Sequence, residues 1–425
     1  MKIRKLRGEL QRQIVFAAAF LFVVFITLAA TTSGQMLTPV WVEVGPDGAA
    51  IARVVVNSAS DCPSIQIDGV GVRMALRQPT PPGFRPACEL AIPAGARTAK
   101  VNGKTLMLPH ADPTRIVAFG DTGCRIKGSA IQDCNDPAKW PFAGIAARAA
   151  SEKPQLMIHV GDYLYRESPC PLASEAFCGG TPAGDNWDAW NADFFTPAAN
   201  LLEAVPWAFA RGNHEDCTRS WRGWFYYLDP RPWSGMCQTY SPPYMIKLGG
   251  FEIVMLDSSA VNELFADQDQ IIEYTGQLLS LHPENAWLVD HHPFWGFAPT
   301  IGPLPPIPIS VPLEDAWTRA TPRGYSLILS GHIHLFEFVE LQNRPKQLVV
   351  GDGGTQMSSP IQAALQGMPI RGAITTGAEA EQQFGYTLFT KTKTGWNFTL
   401  KNSAGEKLIS CEIPGSVSDC KSGAK

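Results

Sequence analysis

From residue 115 onward, short apolar runs alternate with longer segments of helical period, and nearly every run stops at a glycine or a polar residue. Runs this short read as strands rather than amphipathic helices, so the alternation predicts a layered α/β domain. Strands are expected at 116–120, 156–160, 207–210, 251–256, 286–289 and 326–329, with helices at 137–151, 187–204, 267–281 and 313–320. Ligands of such sheets bind outside the carboxyl ends of the strands, so the residues that follow each run should converge.

Those residues are chemically distinctive. Five strand ends read Gly120-Asp121-Thr122-Gly123, Gly161-Asp162-Tyr163-Leu164-Tyr165, Gly212-Asn213-His214-Glu215, Asp290-His291-His292-Pro293 and Gly331-His332-Ile333-His334. The sixth run ends in Asp257-Ser258, to which no role is assigned. A lone Asp after a strand is ordinary turn chemistry. Five tips that together supply two Asp, a Tyr, an Asn and several His point to a metal site. His332 and His334 are two apart, so on extended backbone both rings leave one face, roughly 6 to 7 Å apart. Two ions about 3.5 to 4 Å apart could each take one of them.

The set resembles the five-block signature of the purple acid phosphatases, a branch of the calcineurin-like metallophosphoesterases: GDxG, GDxxY, GNH followed by an acid, VxxH and GHxH. The match runs from about residue 119 to 354. Most relatives outside this branch carry His two residues after the first Asp, where this chain has Gly123. Tyr165 stands where the purple branch has its tyrosine ligand. The resemblance implies a calcineurin-like four-layer α/β/β/α sandwich. It also implies an iron(III) ion held by Asp121, Asp162, Tyr165 and His334, since a phenolate below its ordinary pKa near 10 needs a strongly polarising cation. A second, divalent Zn, Fe or Mn would share Asp162 and take Asn213, His332 and one histidine of the fourth block. Counted from Val289 that histidine is His292; placed two residues before the proline, as in relatives, it is His291, which is preferred. His214 would donate a proton or hydrogen bond to the phosphate or leaving oxygen. The implied reaction is hydrolysis of a small phosphate ester, most simply a monoester, by a hydroxide held on the metals. A phosphodiesterase acting on nucleotides or lipid head groups with the same centre is the first alternative, and a non-catalytic secreted binding protein the second.

The rest of the chain sets the context. The segment 1–34 holds five bases and one acid around an uncharged run at 14–30, and reads as an export signal or an uncleaved anchor. The expected location is therefore exported, with membrane contact only if that segment stays attached. The net charge is −4 and no Lys/Arg run follows residue 12, which argues against holding nucleic acid by its phosphates. All ten cysteines lie after residue 34, without a C-x-x-C, in five sequential short-range couples that suit disulfides. A small β-sandwich-like domain is expected over 36–110, the catalytic domain over 115–400, and a loop-like, disulfide-clipped tail over 401–425. Strands at 346–350 and 386–390 are expected in a second sheet, and the Pro-rich stretch 299–312 as a stiff surface loop. His159, His110 and His282 read as structural, and Trp187, Trp190, Phe194 and Phe195 as core.

Overall fold

The structure, a computed structural model, describes residues 35–298, 307–358, 367–370 and 373–423. The expected export segment 1–34 and the part 299–306 of the Pro-rich stretch lie outside the described residues.

Two large sheets face each other. The first runs, from edge to edge, through Lys421–Ser422, Lys407–Ile413, Trp396–Asn402, Gly385–Lys391, Arg115–Phe119, Leu156–His159, Trp207–Phe209, Trp41–Val44, Ala50–Val55, Ala87–Ile92 and Ala75–Leu76. The second runs through Tyr244–Leu248, Phe251–Met255, Ala286–Val289, Tyr325–Ser330, Lys346–Val350, Phe336–Leu341, Ala373–Glu381 and Pro369–Ile370. The central strands of each are parallel, with Met157 opposite Val117 in the first sheet and Leu288 opposite Val254 in the second.

Side-chain alternation produces the layering. In Arg115–Phe119, Ile116 and Ala118 face the second sheet and join Trp287, Leu329 and Phe338 in the inter-sheet core. Val117 and Phe119 point the other way, onto the helices Phe142–Ser151 and Thr196–Ala204. On the far face of the second sheet, Leu288 and Ile328 pack against Gln268–Ser280 and Val311–Ala320. Strands buried on both faces require apolar residues at every position, which is why these runs are uninterrupted. The result is the four-layer α/β/β/α sandwich. Trp187, Trp190, Phe194 and Phe195 are all buried in the core under the helical layer.

Three features differ from the sequence expectation. The strands of 36–110 form a small sandwich, but one of its layers is the large sheet itself: Trp41–Val44 pairs in parallel with Trp207–Phe209 through Glu43 and Trp207. The other layer is the four-stranded sheet of Ser64–Ile67, Val70–Arg73, Ala99–Val101 and Lys104–Thr105. The stretch 386–390 joins the first sheet rather than the second, because Leu388 pairs with Val117. The tail is a sheet edge rather than a loop. In Lys407–Ile413, buried Ile409, Cys411 and Ile413 alternate with more exposed residues, a period of two that marks a half-buried strand.

Five disulfides join Cys62–Cys88, Cys124–Cys134, Cys170–Cys178, Cys217–Cys237 and Cys411–Cys420, the sequential pairing. No helix among the described residues is long and apolar enough to cross a membrane.

Candidate metal centre

Seven side chains, those of Asp121, Asp162, Tyr165, Asn213, His291, His332 and His334, meet at the carboxyl ends of the parallel strands of both sheets. Asp121, Asp162 and His332 have positive φ of 56°, 60° and 71°. Non-glycine residues rarely adopt this region, and such strain gathers at functional sites because the surrounding structure imposes it.

The first half of the cluster centres on the phenol. Tyr165 Oη lies 2.6 Å from Asp162 Oδ2, 2.9 Å from His334 Nε2 and 3.0 Å from Asp121 Oδ1. His334 Nδ1 donates to the carbonyl of Gln356 at 2.8 Å, so Nε2 turns its lone pair inward. One phenolic proton thus faces three acceptors, and Asp121, Asp162 and His334 form a group able to hold a metal ion. Burial pushes Asp121 well above the usual carboxylate range, and the neighbouring Asp162 adds to it. Burial, then both carboxylates, likewise push the Tyr165 phenol well above its usual range. A cation held among these groups would offset the two buried carboxylates.

The second half uses neutral donors. Asn213 Oδ1 lies 3.0 Å from His291 Nε2 and 3.3 Å from His332 Nδ1. His291 Nδ1 donates to the carbonyl of Val160 at 2.8 Å, leaving Nε2 free to face the cluster 3.2 Å from Asp162 Oδ2. Asp162 Oδ2 therefore touches both halves, while Oδ1 accepts from the backbone N–H of His214 at 2.9 Å. The adjoining His292 is also buried, but its ring lies against that of His332, with centroids 4.1 Å apart, rather than against Asn213. Its two ring nitrogens have no hydrogen-bond partner among the described residues. His292, His332 and Glu263 form a second group with metal-ligand spacing, in which Glu263 Oε1 is 3.4 Å from His332 Nε2.

The glycines in the tips are steric requirements. A Cβ at Gly123 would lie 2.6 Å from the Tyr163 carbonyl oxygen and 2.8 Å from the Tyr165 nitrogen, so a histidine there has no room while the tyrosine tip keeps this path. A Cβ at Gly212 would lie 2.0 Å from Asp162 Oδ1.

Several supporting residues had little or no individual signal in the sequence. Glu215 is buried and accepts backbone N–H bonds from Asp162, Tyr163, Leu164 and Gly212 at 2.9 to 3.2 Å, tying two tips together. Its position after GNH is the one clue that pointed to it. Asp193, on a π turn at Asn191–Phe195, accepts from the backbone of Cys124, Tyr165 and Arg166 and pairs with the Arg166 side chain at 2.5 Å. Ser258, from the tip with no assigned role, accepts from the backbone of His291 at 3.0 Å and of His292 at 2.9 Å. Asp257 beside it pairs with Arg211 at 3.0 Å. The His214 ring packs tilted against Tyr165 with centroids 3.8 Å apart; its Nδ1 is 2.6 Å from Glu167 Oε1, and its Nε2 is 3.8 Å from Asp162 Oδ2. His159 accepts from Gly161 N–H at Nδ1 and stacks on Tyr163 at 4.0 Å, away from the cluster, while His110 and His282 are exposed.

The calcineurin-like phosphoesterase family matches residues 114–336, just over half of the chain. No curated protein matches the chain in sequence. Among solved structures, the chain is similar to a purple acid phosphatase isolated from yellow lupin (Lupinus luteus) seeds, with a TM-score of 0.56 at 13% identity, over 90% of this chain and 77% of that one. It is similar to PhoD with a TM-score of 0.56 at 10% identity, over 93% of each chain. At these identities the likeness is one of fold. A match over the stretch that carries all five tips, together with clustered carboxylate and imidazole ligands, identifies the chain as a member of the calcineurin-like phosphoesterase family, whose members hydrolyse phosphoric esters with the help of metal ions.

Proposed function

We propose that the chain is an exported phosphatase of the purple acid phosphatase type, hydrolysing small phosphate monoesters at a dinuclear centre. The observation that carries this reading is Asp162 Oδ2, which stands 2.6 Å from the phenol and 3.2 Å from His291 Nε2, joining two donor sets of different character. Asp121, Asp162, Tyr165 and His334 would hold a trivalent iron, and Asp162, Asn213, His291 and His332 a divalent zinc, iron or manganese. His291 is preferred to His292 because its inward nitrogen faces Asn213 and Asp162. When bound, the metal pair acidifies water at neutral or acidic pH and neutralises charge that develops on the phosphoryl group.

The chain's own groups supply orientation and a proton. Glu167 Oε1 stands 2.6 Å from His214 Nδ1, and Nε2 is on the cluster side, 3.8 Å from Asp162 Oδ2, where it would donate to a phosphoryl oxygen or to the departing alcohol. The Val160 and Gln356 carbonyls fix the tautomers of His291 and His334, so each imidazole is held in one orientation before a ligand arrives. Export is supported by five disulfides, which persist in oxidising compartments. The division into a β region at 36–110 and a catalytic region from 115 is retained as part of the proposal.

The test is metal analysis of the purified protein with a panel of phosphate monoesters and diesters. Two metals per chain, one of them iron, and faster turnover of monoesters are expected. A protein that stays inert when supplied with iron and zinc would overturn the reading, and preference for diesters would replace its substrate class.

A further inference from the structure

At the end of the sandwich opposite the metal centre, the two sheets part around a cavity of about 660 Å³, within the size range of small-molecule sites. Its wall comes from strand starts in the second sheet, including Phe251, Tyr325 and Lys346, and from the Lys391–Trp396 turn of the first. From Tyr325 to His332 the chain runs the length of a strand and its tip, roughly 20 Å at about 3.3 Å per residue. The cavity is therefore separate from the phosphatase site.

Its charge is anomalous for this protein. The chain is net acidic at −4, yet the lining carries Arg323, Arg344, Lys346, Lys391 and Lys393 and no carboxylate. Two of these cations are compensated from outside the cavity, Lys346 by Glu340 at 2.8 Å and Lys391 by Asp112 at 2.6 Å. Arg323, Arg344 and Lys393 have no carboxylate partner among the described residues. Two buried polar atoms of lining residues, Arg344 Nε and Tyr325 Oη, also lack a hydrogen-bond partner there. Buried Trp287, Trp317 and Trp396 line the same cavity.

We infer that this cavity is a second anion site, for a molecule carrying two or more phosphate groups, held by Arg323, Arg344 and Lys393 beside the lining tryptophans. Planar guanidinium groups pair with phosphate through two hydrogen bonds, and a diphosphate engages separate cations at once. The site does not depend on the proposed chemistry of the metal centre.

Calorimetric titration of the full-length, metal-loaded protein with methylenediphosphonate, which cannot be hydrolysed between its phosphorus atoms, tests the inference. Two binding events per chain are expected, one at the metals and one that weakens steeply as salt is raised. In Arg323→Ala/Arg344→Ala the salt-sensitive event should weaken at least tenfold, while turnover and thermal unfolding are unchanged. Lys393→Ala, on an exposed turn, should weaken it less and provides a variant with minimal risk to folding. The absence of a salt-sensitive event in the wild type, or a salt-sensitive event of unchanged affinity in both variants, would overturn the inference.

Discussion

The two halves of the metal centre are built from opposite chemistry in one buried volume. Around Tyr165 the donors are a phenol, two carboxylates and an imidazole, with Asp121 and Tyr165 fully buried. Around Asn213 they are an amide and two imidazoles, with Asp162 as the shared charge, and His332 keeps a side-chain exposure of 14%. Buried charge must be balanced where it lies, which is the reason the proposal assigns the trivalent ion to the first half and the divalent one to the second. Differences in donor type, rather than in donor number, are what make the two positions inequivalent.

The strongest way to break that comparison is to remove the group both halves share. Asp162→Asn should cost both metals and lower turnover by on the order of a thousandfold or more, read by metal content and kinetics; retention of two metals would show that the halves are independent. Next, Tyr165→Phe should abolish a visible charge-transfer band while the divalent ion remains. A band that survives would remove the phenol from the first half. In the second half, His291→Ala should lower the metal count to about one per chain, whereas His292→Ala should keep two. The reverse result would reassign the fourth tip. The smallest effect is expected at Glu263→Gln, which leaves the shape but weakens the carboxylate contact to His332 Nε2. Partners of metal-bound histidines are worth about 10- to 100-fold in affinity, and the lower end, seen as faster loss of the divalent ion to a chelator, is expected for a side chain that is 45% exposed.

Much of this site was legible before folding, because each strand end carries its chemistry within four or five consecutive residues. Gly123 and Tyr165 could be read together because the resemblance to the purple branch couples the two differences, and the structure adds the reason, that a side chain at Gly123 collides with the tyrosine tip. Glu263, Ser258 and Asp193 could not be read in the same way. Each lies in a loop or π turn with no motif of its own, and each acts through backbone or ring atoms that are distant in sequence. The sheet edges show the same limit. Lys407–Ile413 has a clear period of two, yet its short, polar-flanked context reads as loop until Trp396–Asn402 is beside it to pair with.

What the sequence determined by itself was the kind of ligand at each tip, their order, and the βα alternation that brings them to one end, because these follow from side-chain chemistry and local periodicity. Tertiary structure alone decided which of two adjacent histidines faces Asn213, which carbonyl or carboxylate braces each imidazole, and that the amino-terminal strands extend the catalytic sheet. It also left the cationic cavity at the far end. Each of these depends on the distance between atoms that are remote along the chain, and no local pattern encodes such a distance.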